Sequence, residues 1–262
     1  MIKNTYLSRM EQSLFDIIRE SNVNIISNEQ IKDLMPNKNI NKLCSSLMKK
    51  GYFHKIKRGI YIIQFTPSKR PIIADPYLIA LNTYRGYLGF STALKMHGLT
   101  EYEPFTIFLI TNYKSKTLHL GQYIFKIINM HEKAKYTIRM EDYTTSTLEK
   151  TFFDCFFKPE FAGGYQNIAK ALYNTKLNWG LFIKIFNEFA SSSLCQRTGY
   201  ILELIKNETG YKIDSKTINY MKKRIKNNTK LIPKANSKGI FIKKWKLIDN
   251  LGKDKIMGWY NG

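Results

Sequence analysis

Acidic residues are scarce in this chain. Only 20 Asp and Glu stand against 42 Lys and Arg, a formal net charge of +22 over 262 residues. Such a surface repels cations and attracts polyanions, with binding that weakens steeply as salt rises. Cysteine is sparse too: Cys44, Cys155 and Cys195 are odd in number and far apart, and no Cys-x-x-Cys pair occurs. That argues against a disulfide framework or a zinc knuckle and for reduced core thiols in a cytoplasmic protein. The longest uncharged stretch, near Pro104–Tyr113, has about half the length of a membrane helix, and the first residues form no apolar signal core. The expectation is a soluble chain with no membrane partner.

Signatures of catalysis are also missing. There is no Gly-x-x-x-x-Gly-Lys, no His-Glu-x-x-His and no Gly-x-Ser-x-Gly. His54, His97, His119 and His131 are too dispersed to suggest a metal site, so neither metal nor cofactor is expected. A metal-dependent nuclease needs clustered carboxylates. Glu101 with Glu103, or Asp142 with Glu149, supply the residue types, but Glu149-Lys150 falls on a predicted helix, where a salt bridge or a surface role is commoner. The expectation is a non-enzymatic protein, with a nuclease as the alternative.

What the chain does contain is core material and uneven charge: 44% of residues are hydrophobic and 14% aromatic. Residues 1–70 carry a net charge of +8, residues 71–199 of +4 and residues 200–262 of +10. Two basic ends flank a nearly balanced middle.

At the amino end, Ser8-x-x-Glu11 is a capping box, with Leu7, Met10, Leu14, Ile17 and Ile18 at helical spacing. Ser27-x-x-Gln30 opens a second helix that stops at Pro36. A third spans about Lys38–Lys50, with Gly51 as its left-handed terminator. Its Ile40, Leu43, Cys44, Leu47 and Met48 form an apolar stripe; the opposite face carries Lys38, Lys42, Ser45, Ser46 and Lys49 with Asn41 at its border, and Lys50 at the helix end joins them as a DNA-binding candidate. Two strands then flank Arg58-Gly59, with Lys55, Lys57 and Arg58 at the tip. This order predicts a winged helix-turn-helix over residues 1–66. In that arrangement Asn41, Ser45 and Ser46 reach base edges while the lysines and the wing meet phosphates. Protein docking is the competing use of such a module.

Thr66-Pro67-Ser68-Lys69-Arg70-Pro71 reads as a linker. Residues 72–262 then predict a mixed α/β domain, so the chain as a whole is expected to be α+β. Asp75-Pro76 opens a helix, and Ser91 is placed as the cap of another at Thr92–His97. Strands are expected over 105–111, 122–129, 136–140 and near Tyr143. Helices follow over 147–157, 165–173, 181–190 and 194–206. The tail from about 207 predicts a basic helix over 215–227 and one strand over 239–248. Its Lys222, Lys223, Arg224, Lys226, Lys243, Lys244 and Lys246 form a possible second basic surface. Trp245 fits two roles, a stacking platform among those lysines or a core residue beneath them.

Four segments occur in a telling order: Lys57-Arg58-Gly59-Ile60-Tyr61, Ser91-Thr92-Ala93-Leu94-Lys95-Met96-His97-Gly98-Leu99, Thr147-Leu148-Glu149-Lys150-Thr151-Phe152-Phe153-Asp154-Cys155, and Gln196-Arg197-Thr198-Gly199-Tyr200-Ile201-Leu202-Glu203. Together they resemble the AbiEi family of abortive-infection antitoxins and predicted regulators of viral defence, over about residues 10–205. The resemblance implies a winged helix that represses its own operon by binding promoter repeats in double-stranded DNA. It also implies a C-terminal domain that counters a nucleotidyltransferase toxin, a type IV system in which no stable toxin complex is required. Thr198 stands where members usually have leucine, and the tail beyond 205 matches no family motif. An RNA- or protein-interaction module remains the other alternative.

Overall fold

The capping boxes seen in the sequence form as hydrogen-bonded caps. In a computed structural model, which describes residues 5–21, 24–101, 103–236 and 238–260, Ser8 N donates to Glu11 Oε2 at 2.6 Å and opens α1 (Arg9–Ser21). A three-residue strand, β1 (Ile25–Ser27), leads into α2 (Asn28–Leu34), where Ser27 and Gln30 complete the second box. Next come α3 (Ile40–Lys49), β2 (Phe53–Lys57) and β3 (Ile60–Ile63). The sheet order is β1-β3-β2, antiparallel throughout. Leu14, Phe15, Ile18, Ile31, Leu43, Leu47 and Phe53 form the core beneath it. α4 (Pro76–Thr83) starts at Asp75, whose Oδ1 accepts from Tyr77 N and Leu78 N.

The described chain clusters into two compact units. One comprises 1–85, 105–107 and 116–126; the other comprises 86–104, 108–115 and 127–262. Beyond α4 the elements are β4 (Tyr87–Leu88), α5 (Phe90–Met96), β5 (Thr106–Thr111), β6 (Lys116–Leu120), β7 (Tyr123–Asn129), β8 (Thr137–Met140) and β9 (Tyr143–Ser146). Their sheet runs β6-β7-β5-β4-β9-β8, with β4 parallel to β9 and antiparallel to β5. A helical layer follows: α6 (Leu148–Phe157), α7 (Gly164–Tyr173), α8 (Trp179–Phe189), α9 (Ser192–Thr209) and α10 (Ser215–Lys223). A small sheet closes the chain with β10 (Thr229–Lys230), β11 (Ile240–Ile242) and β12 (Leu247–Asp249), ordered β10-β12-β11, before α11 (Lys253–Met257). The fold is α+β.

Three local expectations change. Ser91 is not the cap of α5; the helix starts at Phe90 after Gly89, whose missing side chain leaves room for Ile110. α10 ends at Lys223 rather than 227, because Arg224 turns back to donate to Ala190 O at 3.1 Å and Lys226 N donates to Ser192 Oγ. The single strand expected over 239–248 is two strands with a 3₁₀ turn at Lys243–Trp245, since Lys246 takes a left-handed φ of 44°.

Candidate nucleic-acid interface

Helix α3 sorts its side chains by angle. Asn39 Oδ1 accepts from Lys42 N at 3.0 Å and fixes the helix start, while Leu43, Cys44 and Leu47 are buried. At about 100° per residue, Asn41, Ser45, Lys49 and Lys42 span an arc of about 100° on the opposite side. Asn41, Lys42 and Lys49 are exposed, as is Lys38 just before the helix, and Ser45 is half-buried.

Ser46 and Lys50 lie further round, beside Leu43, and are engaged within the unit. Ser46 Oγ donates to Glu11 Oε1 at 2.7 Å and Lys50 Nζ pairs with Glu11 Oε2 at 2.6 Å. Glu11 is 2% exposed. Burial pushes its carboxyl up, but the bonds from Lys50, Ser46 and Ser8 outweigh that and hold it at about 2. This link joins α1 to α3 and sets the orientation of the outer arc.

The hairpin turns on Gly59, at φ 73°, whose carbonyl accepts from Asn28 N at 2.8 Å and so ties the tip to the start of α2. β2 carries an irregularity: Lys55 pairs with Tyr61 but Lys57 with Ile60, so Ile56 is the extra residue and enters the interior. The two lysines therefore part company. Lys55 stays exposed, as does Arg58 at the tip. Lys57 Nζ donates to Thr83 O at 2.6 Å and lies 4.6 Å from the centre of the Tyr84 ring. Its pKa is lowered by burial and then by the neighbouring Lys116.

In the carboxyl-terminal tail the choice left open for Trp245 is decided. It is 1% exposed, a core residue, and its Nε1 donates to Glu203 Oε2 at 2.8 Å. Lys244 also pairs with Glu203, Arg224 is held by Ala190 and Asn187, and Lys246 Nζ reaches Lys226 O at 3.3 Å. Lys222, Lys223, Lys226 and Lys243 are exposed. Phe241 on β11 is half-exposed, and Arg224 stacks on the Tyr220 ring at 5.7 Å.

The segment around Gln196 explains how the tail is held. Gln196 Nε2 donates to Asn227 O at 2.8 Å and Trp245 O at 3.0 Å, Arg197 Nε to Lys230 O at 2.8 Å, and Tyr200 OH to Asp249 Oδ2 at 2.7 Å. A side chain at Gly199 would strike the Trp245 ring. Three residues and a glycine on one stretch of α9 thus receive β10, β12 and the turn between β11 and β12. No motif in the tail itself signals this; the signal lies in α9, in polar residues placed among apolar ones.

The Glu149-Lys150-Thr151 segment is internal as well: of the two expected roles, Lys150 takes the salt bridge, and the surface position does not hold. Glu149 Oε1 accepts from Asn178 N at 2.9 Å. Lys150 and Asp154 form an ion pair in which both side chains are fully buried, with Tyr87 OH 3.3 Å from Lys150 Nζ. Burial lifts the Asp154 carboxyl to about 6 against the pull of Lys150. Thr151 Oγ1 and Ser146 Oγ share a hydrogen bond at 2.7 Å, and His97 Nε2 sits 2.9 Å from Ser146 O. Glu103, one of the carboxylates considered for a nuclease, pairs with Lys95 at 3.2 Å. Among the described residues, no three His, Cys, Asp or Glu gather as a metal-binding group, and no helix is long and apolar enough to cross a membrane.

The fold is similar to that in the crystal structure of the Rv2827c protein from Mycobacterium tuberculosis. The TM-score is 0.70 at 12% sequence identity, covering 99% of this chain and 97% of that one. At such low identity the likeness speaks for the fold alone. No family model and no curated protein matches the chain.

Proposed function

We propose that this chain is a DNA-binding autoregulator and the antitoxin of an AbiE-like type IV toxin–antitoxin system, countering a nucleotidyltransferase toxin. In this reading α1–α3 with the β1-β3-β2 sheet act as a winged helix-turn-helix, α3 enters the major groove, and the β2–β3 hairpin is the wing.

The observation that carries the DNA half is the sorting on α3. Lys38, Asn41, Lys42 and Lys49 are left exposed, as is the tip cation Arg58, while Ser46 and Lys50 are turned to Glu11. Lysines and arginine in that position meet phosphates, and Asn41 and Ser45 are the candidates for reading bases. The antitoxin half is supported by the ordered sequence segments that resemble the AbiEi family.

Footprinting on the DNA upstream of the chain's own gene tests the first half. Protection of repeated half-sites, lost when Asn41 is replaced by alanine, is the expected outcome. Co-expression with an adjacent nucleotidyltransferase tests the second: growth should recover only when this protein is present. Incubation with plasmid and magnesium or manganese should leave the DNA uncut.

A further inference from the structure

The outer face of the β1-β3-β2 sheet floors a cleft that is open to solvent on one side. In β1 and β3, Ile26, Tyr61 and Ile63 enter the core beneath the three helices. By alternation Ile25, Ser27, Ile60 and Ile62, paired Ile25 with Ile62 and Ser27 with Ile60, face the other way. Three of these four are isoleucine, on a face that a small solvated sheet would make polar.

The chain after β3 covers that face only in part. Gln64 braces the covering segment, donating to Ser68 Oγ at 2.7 Å and accepting from Ile72 N. α4 then brings Leu78 and Ile79 opposite the sheet. Between them remains a cavity of about 690 Å³. Small-molecule sites commonly have volumes of about 300–1,000 Å³.

The chemistry of the lining narrows what fits. Isoleucines and Leu78 form an apolar floor, and Asn24, Gln30 and Asn82 add amide groups, with Asp75 the one carboxylate. None of the described lining residues is a lysine or arginine, although the chain carries +22 overall. Arg19 is stacked 5.4 Å from the Phe65 ring at the mouth, but the walls themselves offer an anion no counter-charge. At the mouth, Ile72 is 66% exposed and Phe65 42%, apolar surface of the kind a ligand covers.

We propose that this cavity binds an uncharged amphipathic small molecule, its flat apolar body on the Ile25–Ile60–Ile62 face and its polar edge toward the amide side chains. The site stands whichever partner the α3 arc meets. It also borders the structure that carries the hairpin, because Ile60 and Ile62 belong to the strand leaving Gly59.

Nile red, an uncharged flat amphiphile, is a suitable probe for the full-length chain. Saturable binding of one dye per chain with a blue-shifted emission is the expected result. Ala74→Trp at the exposed rim and Leu78→Trp within the cavity should each weaken it by about tenfold or more, by occupying the space. Melting temperatures identify any variant that fails to fold, and Ala74→Trp, at an exposed position, remains decisive if Leu78→Trp does. Unsaturable binding, or unchanged affinity in the folded variants, would overturn the proposal.

Discussion

Lys50 Nζ lies 2.6 Å from Glu11 Oε2, and that contact divides the α3 cations into two kinds. Lys50 holds the helix in place; Lys42 and Lys49 are free to face outward from it. The division gives the two groups different expected phenotypes. Lys50→Ala leaves a buried carboxylate without its cation and should cost about 2–4 kcal/mol of stability, read as a lower urea midpoint. Lys42→Ala and Lys49→Ala should stay within about 0.5 kcal/mol of wild type.

The same contact sets an acid transition. Glu11 is held at about 2 in the folded chain, below its ordinary value of 4.5. A depressed carboxyl contributes stability above its unfolded pKa and loses it as pH falls through the folded one. Wild type should therefore lose on the order of 2 kcal/mol between about pH 4.5 and 2. In Glu11→Gln the loss over that range should be smaller by about that amount, as measured by denaturant unfolding at each pH.

Asp154 and Lys150 form an ion pair in which both side chains are buried, and breaking it is costly. Asp154→Ala leaves an uncompensated ammonium in the core and should lose about 3–5 kcal/mol. The double variant Lys150→Met with Asp154→Leu removes both charges and should recover most of that loss. A double variant no more stable than Asp154→Ala would mean that the network through Tyr87 matters more than the charges.

Trp245 fills the space left by the hydrogen side chain of Gly199. Gly199→Ala should destabilise by about 1–3 kcal/mol through overpacking against the ring. Because Gln196, Arg197 and Tyr200 bond the same tail, truncation after residue 206 should expose the apolar surface of α9. Dye binding typical of a partly unfolded core, with lost near-ultraviolet dichroism, would mark that outcome.

Much of the amino-terminal unit could be read from local chemistry. Ser8-Glu11 and Ser27-Gln30 announce helix starts because capping needs a side-chain acceptor at a fixed offset; Asn39, expected inside a helix from about Lys38, is instead the cap of α3. Gly51, at φ 78°, marks an end because residues with a Cβ rarely adopt that geometry. β1 escaped notice, since three residues carry too little alternation to stand out. Of the candidate cations, Lys57 and Lys50 could not be told from Lys55 and Lys49. Their partners, Thr83 and Glu11, are 26 and 39 residues away in sequence. Trp245 was ambiguous for the same reason: its fate depends on a glycine 46 positions earlier, and only folding brings the two together.

The most direct test is fluorescence anisotropy on the chain's own promoter duplex across a salt series. Wild type should bind with a steep dependence on salt. In the Lys42→Ala, Lys49→Ala, Arg58→Ala triple variant the slope of log affinity against log salt should fall by about 3, one unit per lost phosphate contact. A folded triple variant with the wild-type slope and affinity would contradict the placement of DNA on α3 and the hairpin.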